Sequence, residues 1–178
     1  MTPSDITGFW VAAGEKKWFA RDPEFDADIQ ERFEHAHFDA ARGELDYWEG
    51  SADGALALLL LLDQFPRNMF RGTAHAFATD PLARKVAEHA VARGFDRMVD
   101  EKLRYFFYLP FEHSESAADQ ARAVELCEGM GDPERTKWAL LHADIISRFG
   151  RFPHRNACLG RTTTPAEAAF LESGGFAG

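Results

Sequence analysis

The stretch ALALLLLL at residues 55–62 constrains the fold of this chain more than any other. It has no polar face at either a helical or a strand repeat, so water must be kept from it on every side. A bilayer does this only for runs of about 20 residues, which leaves a protein core as the cover. Leu and Ala fill the run in place of β-branched residues, and this favours a helix over a strand. The sequence therefore predicts a central helix surrounded by neighbours, the least exposed element of the chain.

The neighbours announce themselves by spacing. Phe25, Ile29 and Phe33, then Leu82, Val86 and Ala90, then Trp138, Leu141, Ile145 and Phe149 recur at helical intervals, one stripe per helix toward a shared core. Asp22, Asp80, Asp132 and Thr164 each stand before a proline, the pattern of a cap followed by Pro at the first helical position. Ser116 marks a fifth start, and the pairs Ser116/Asp119 and Thr164/Glu167 fit a capping box. Gly43, Gly94 and Gly150 fall where left-handed C-terminal caps belong. No segment alternates apolar and polar residues, and no linker or low-complexity tract interrupts the chain. The expected fold is all-α: a single domain over residues 1–178 of about seven or eight helices, paired as hairpins around the central apolar helix. Residues 172–178, in the Gly-rich ESGGFAG, are expected to form a flexible tail.

Charge and cysteine usage exclude several partners. A formal net charge of −9 without any Lys/Arg run opposes nucleic-acid binding. The start MTPSDITGFW lacks the basic and apolar regions of a signal peptide, and no segment is long enough to span a membrane. Cys127 and Cys158 form no C-x-x-C pair and fit reduced thiols, so the expected location is cytoplasmic. No metal site and no cofactor is expected, because H-E-x-x-H, Cys/His clusters, phosphate-binding glycine loops and nucleophile elbows are all missing.

One phrase occurs twice. FPRNMFRG at 65–72 and FPHRNACLG at 152–160 each follow an apolar helix, place Arg before Asn, and reach Gly four residues after the Asn. In the first, Pro66 predicts that the buried helix stops near Gln64 and leaves its last carbonyls in need of donors. Arg67 and Asn68 then either tie down that stop or, with Arg67 oriented by Asp63, present a planar fork to a ligand carboxylate or phosphate. In the second, His154, Arg155 and Asn156 follow Arg148 and Arg151, a positive patch that is either solvated surface or an anion site. If the two stops emerge on one side, Arg67 and Arg155 share one ligand.

A short loop holds a third group. Pro110 and Ser116 bracket His113, Ser114 and Glu115, which read either as a general base with its orienting carboxylate, with Ser114 as a nucleophile, or as a helix-to-helix turn. His75 lies between two arginine-bearing segments and is a further pocket candidate. His142 shares a face with Ile145 and reads as a core histidine, while His35 and His37 leave their helix on different faces.

The phrases FWVAAGEKKWFARDPEFDADIQERF, LLLLLDQFPRNMFRGTAHAFATD, YFFYLPFEHSES and RFGRFPHRN resemble the bacterial family catalogued as domain of unknown function 924, from about Phe9 to Asn156. The resemblance implies an all-α fold similar to tetratricopeptide-like superfamilies and implies no activity. Two functions are thus expected to compete. One is a polar pocket for a small anionic molecule, with Asp63, Arg67, Asn68, His75, Arg155 and Asn156 as binding residues and His113, Glu115 and His154 as catalytic candidates. The other is a non-catalytic scaffold for a protein partner, with aromatics such as Trp48 or Tyr108 exposed in a groove.

Overall fold

The structure, a computed structural model, describes residues 1–176. Among these residues the chain is helical and contains no strand. Eleven α-helical segments follow in order: α1 Pro3–Ala13, α2 Glu15–Trp18, α3 Pro23–Ala41, α4 Ala52–Leu59, α5 Phe65–Met69, α6 Asp80–Ala92, α7 Glu101–Arg104, α8 Leu109–Glu112, α9 Ala117–Met130, α10 Pro133–Phe149 and α11 Pro165–Glu172. The chain divides into two compact units, the first comprising residues 1–71 and 75–110, the second residues 72–74 and those from Phe111 onward.

The apolar run lies at the heart of the first unit. Ser51 caps α4 by accepting the Gly54 N–H at 3.1 Å, and no residue from Ala55 to Leu62 is more than 2 % exposed. Its six leucines, at roughly 2 kcal/mol each, carry burial energy on the scale of a domain's whole net stability. Cover comes from α1, α3 and α6 and from the 3-10 turn Asp46–Gly50. Stacked and edge-on rings of Trp10, Trp18, Phe25, Phe65 and Phe106 extend this core. Phe25, Ile29 and Phe33 point inward as expected, whereas α6 turns Ala83, Val86, Ala87 and Ala90 inward and leaves Leu82 exposed. Trp48 and Tyr108 are buried, which corrects their expected place in an open groove; the Tyr108 hydroxyl donates to Asp96 at 2.7 Å.

The buried helix does not stop at Gln64. Residues Leu60–Gln64 form a π-helical turn, and α5 continues directly from it with Pro66 inside its first turn. The Phe65 N–H reaches back to the Leu60 carbonyl, and Pro66 has no N–H to offer, so the Leu61 and Leu62 carbonyls lose their helical donors. Two side chains replace them. His37 Nδ1 donates to the Leu61 oxygen at 2.9 Å and Thr79 Oγ1 to the Leu62 oxygen at 2.6 Å. Thr79 also precedes α6, so the cap position lies one residue before the expected Asp80.

In the second unit α9 and α10 form a hairpin through Gly131, which is left-handed, and Asp132, whose carboxylate accepts the Glu134 and Arg135 N–H groups. Gly150 ends α10 with φ +68°, and Thr164 with Glu167 closes a full capping box on α11. Ile145, Ile146 and Phe152 make the core, with Phe149, Phe170 and Phe176 packed against it. The inward face of α10 is Ala139, His142, Ile145 and Ile146, so Trp138 and Leu141 of the expected stripe stand partly in water. Of the expected tail, Glu172 belongs to α11 and Phe176 to this cluster, while residues 177–178 lie outside the described part.

Candidate functional site

The first FP-RN phrase falls on the π-turn and α5. Arg67 sends both ends of its fork to Asp80, at 2.9 and 3.0 Å, and also donates to the backbone oxygen of Asp63 at 2.7 Å. Asp63, 1 % exposed, stands 3.1 Å from the same guanidinium. Burial works against the Arg67 charge, yet Asp63 and Asp80 together hold its pKa above the ordinary value. Asn68 donates to Asp26 at 2.7 Å, and Arg71 binds both Asp26 oxygens at 3.0 and 3.1 Å. Asp26 and Asp80 both lie in the first turn of a helix, where a carboxylate also complements the helix dipole.

The second phrase repeats part of this arrangement. Asn156, 1 % exposed, donates to Glu167 at 3.2 Å, and Arg151 grips both oxygens of that carboxylate. Glu167 is in the first turn of α11; the Arg151 fork, then the Thr164 N–H, pull its carboxyl down to about 2. What recurs is thus an Asn amide and an Arg fork on one first-turn acid, with Arg71 and Arg151 as the arginines. Arg67 binds Asp80 in the first unit, whereas Arg155 belongs to the second, donating to the His113 carbonyl at 3.0 Å with its guanidinium 4.5 Å from the Phe152 ring centre.

The loop after α8 is tightly held. Arg161 binds both Glu115 oxygens at 2.8 and 3.1 Å and the Phe152 N–H donates to the same carboxylate at 2.8 Å. Burial would raise the Glu115 carboxyl, but these donors keep it below the usual range. Glu115 is therefore engaged with Arg161. The Ser114 hydroxyl donates to Asp119 at 2.6 Å, and Gln120 donates to the Glu112 and Ser114 carbonyls, both at 2.7 Å.

The acid that meets a histidine in this unit is Glu112. His142 Nδ1 lies 2.9 Å from Glu112 Oε1 and 2.8 Å from the Trp138 carbonyl oxygen. Both partners accept, so in the neutral ring Nδ1 carries the hydrogen and the lone pair is on Nε2. Glu112 is 1 % and His142 6 % exposed. The His142 ring also meets His113 at 6.5 Å and Phe152 at 5.5 Å, and His154 packs on Phe152 at 5.7 Å. The second unit thus brings together His113, His154 and Arg155 from the sequence reading and adds Glu112 and His142. Sequence spacing hid this dyad because all of α9 separates its members.

The first unit holds a different pair. His75 stands in the 3-10 turn Ala74–Phe77, with its Nε2 3.1 Å from Nε2 of His37. His37 gives its Nδ1 hydrogen to the Leu61 carbonyl, so its Nε2 accepts from His75. Burial, first of all, pushes the His37 pKa down and keeps the ring neutral. Among the described residues no group of three or more His, Cys, Asp and Glu side chains is placed to hold a metal ion, and no helix is long and apolar enough to cross a membrane.

Fold and network define an all-helical protein of two compact units, the second built around a buried acid–imidazole dyad. The chain belongs to the family described as bacterial protein of unknown function (DUF924), whose model matches residues 6–175. It is similar to a solved structure from Agrobacterium tumefaciens, the protein of unknown function ATU0120, with 54 % identity and a TM-score of 0.93 over 96 % of this chain and 97 % of that one. None of the curated proteins matches it.

Proposed function

We propose that the protein binds a small anionic molecule at the histidine–arginine cluster of the second unit and that His142 accepts a proton there. The observation behind this reading is the Glu112–His142 contact. A carboxylate on Nδ1 fixes the ring orientation and leaves Nε2 as the basic atom, the arrangement a general base requires. His113, His154 and Arg155 lie beside it and supply groups able to carry positive charge toward an anion. His113 and His154, the expected catalytic residues, become neighbours of the base, and Glu115 positions the loop through Arg161. Asp63, Arg67, Asn68 and His75 are left outside the site, since their polar groups meet Asp80, Asp26 and His37. The tetratricopeptide-like scaffold reading is not preferred, because Trp48 and Tyr108 are buried. We place the protein in the cytoplasm, in keeping with the free thiols of Cys127 and Cys158.

Thermal-shift titration with inorganic phosphate and with malonate tests the reading. One of them should raise the melting temperature of the wild type, and His142→Gln and Arg155→Lys should each weaken that response. The response should also vanish as pH rises through the histidine range, because protonated imidazole favours the anion. A response that persists undiminished in both variants would place the anion elsewhere.

A further inference from the structure

After α11 the stretch SGGF turns the chain back on itself. Gly174 has φ +81°, and the Gly174 and Gly175 N–H groups bond to the Leu171 and Phe170 carbonyls at 3.2 and 3.0 Å. A Cβ at Gly175 would sit 2.5 Å from the Phe170 oxygen and 2.6 Å from its ring, so only glycine fits without the chain moving. The turn delivers the Phe176 ring onto the dyad. It stands edge-on to His142 at 4.6 Å and 71°, and to His154 at 5.2 Å and 83°, with Trp138 at 6.4 Å. Phe176 itself is only half-buried.

We propose that Phe176 occupies the aryl subsite of the ligand, and that the molecule recognised here is an aromatic anion, a planar ring joined to a carboxylate, whose ring takes the place of Phe176. This rests on the reading of the second unit as an anion site. Edge-on packing against two imidazoles depends on the ring quadrupole and is offered equally to any aryl group. Arg155 and His154, on the Phe152 side of the same cluster, are then within the span of a small molecule from the carboxylate end. The segment that carries Phe176 has little to hold it: two backbone hydrogen bonds and one half-buried ring, the profile of a locally displaceable strap. Its occupancy of the slot lowers the apparent affinity for the ligand by the fraction of molecules in which the slot is open.

Calorimetric titration of the wild type and Phe176→Ala with phenylacetate, acetate, inorganic phosphate and toluene decides the matter. Removing the ring should tighten phenylacetate binding about tenfold or more, the factor by which self-occupancy had reduced it, and should leave phosphate unchanged. Gly175→Ala, which displaces the strap without deleting the ring, should move phenylacetate in the same direction. Equal affinity of wild type and Phe176→Ala for phenylacetate and for toluene would overturn the inference, as would an equal gain for acetate, since no aryl preference would then exist. If toluene gains on Phe176→Ala while neither phosphate nor phenylacetate binds either protein, the aryl slot stands as a neutral one, and both the anion reading and the aromatic-anion class are overturned. If phosphate binds both proteins and no aryl compound gains, only the aryl inference is lost.

Discussion

Arg67 sits between two carboxylates, and one of them, Asp63, is all but sealed from water. Taking the guanidinium away leaves Asp63 as an unpaired buried charge, so Arg67→Ala should cost about 3–5 kcal/mol of stability, read by urea denaturation. Arg67→Lys keeps the charge, loses the two-point grip on Asp80 and should lose a smaller part of that. A change within about 0.5 kcal/mol for the alanine variant would show that water already satisfies Asp63. Glu167 carries a pH dependence. Its folded carboxyl lies at about 2 against an ordinary 4.5, so its contribution is complete above pH 4.5 and disappears as pH falls from there toward 2. Stability of the wild type should decline more steeply than that of Glu167→Gln across this window, and parallel curves would remove Glu167 as the cause. The Thr164–Glu167 cap could be read from its spacing of three, but the Arg151 fork could not, because an arginine in sequence says nothing of which acid it will face.

At the scale of an element, the π-turn explains why a proline occurs inside the most buried helix of the chain. The two carbonyls it releases are answered from 24 and 17 residues away, by His37 and Thr79. Thr79→Val removes the hydroxyl while keeping the shape, leaves the Leu62 carbonyl unanswered, and should cost about 1–3 kcal/mol. A cost near zero would mean that the turn relaxes to satisfy that carbonyl by itself. Pro66 was visible in the sequence and its missing N–H correctly marked carbonyls in need of donors. The inference to a helix end failed because local rules count only local donors. The same limit applies to His37, dismissed by its spacing from His35, although its partners lie on two other segments.

For the molecule as a whole, the central run and the helical class were plain in the sequence, since an apolar stretch without a polar face admits few covers. The division into two units was not, because the change falls inside α8 between Pro110 and Phe111 and no linker marks it. Each unit has its own Asn–Arg clamp on a first-turn acid, so damage should stay local. Native-state hydrogen exchange of Glu167→Gln should show faster opening of α9, α10 and α11 with α4 unchanged; equal acceleration everywhere would mean that the chain opens only as one. The π-turn has one more consequence, for the phase of the chain. Five residues make a turn there where an α-helix needs fewer, so deleting one leucine from 60–62 would restore an ordinary helix and rotate all that follows by about 100°. Helicity would survive the deletion, but Arg67 would swing off Asp80 and Asn68 off Asp26. That single surplus residue sets the angular phase at which the helix presents its polar phrase to the rest of the first unit.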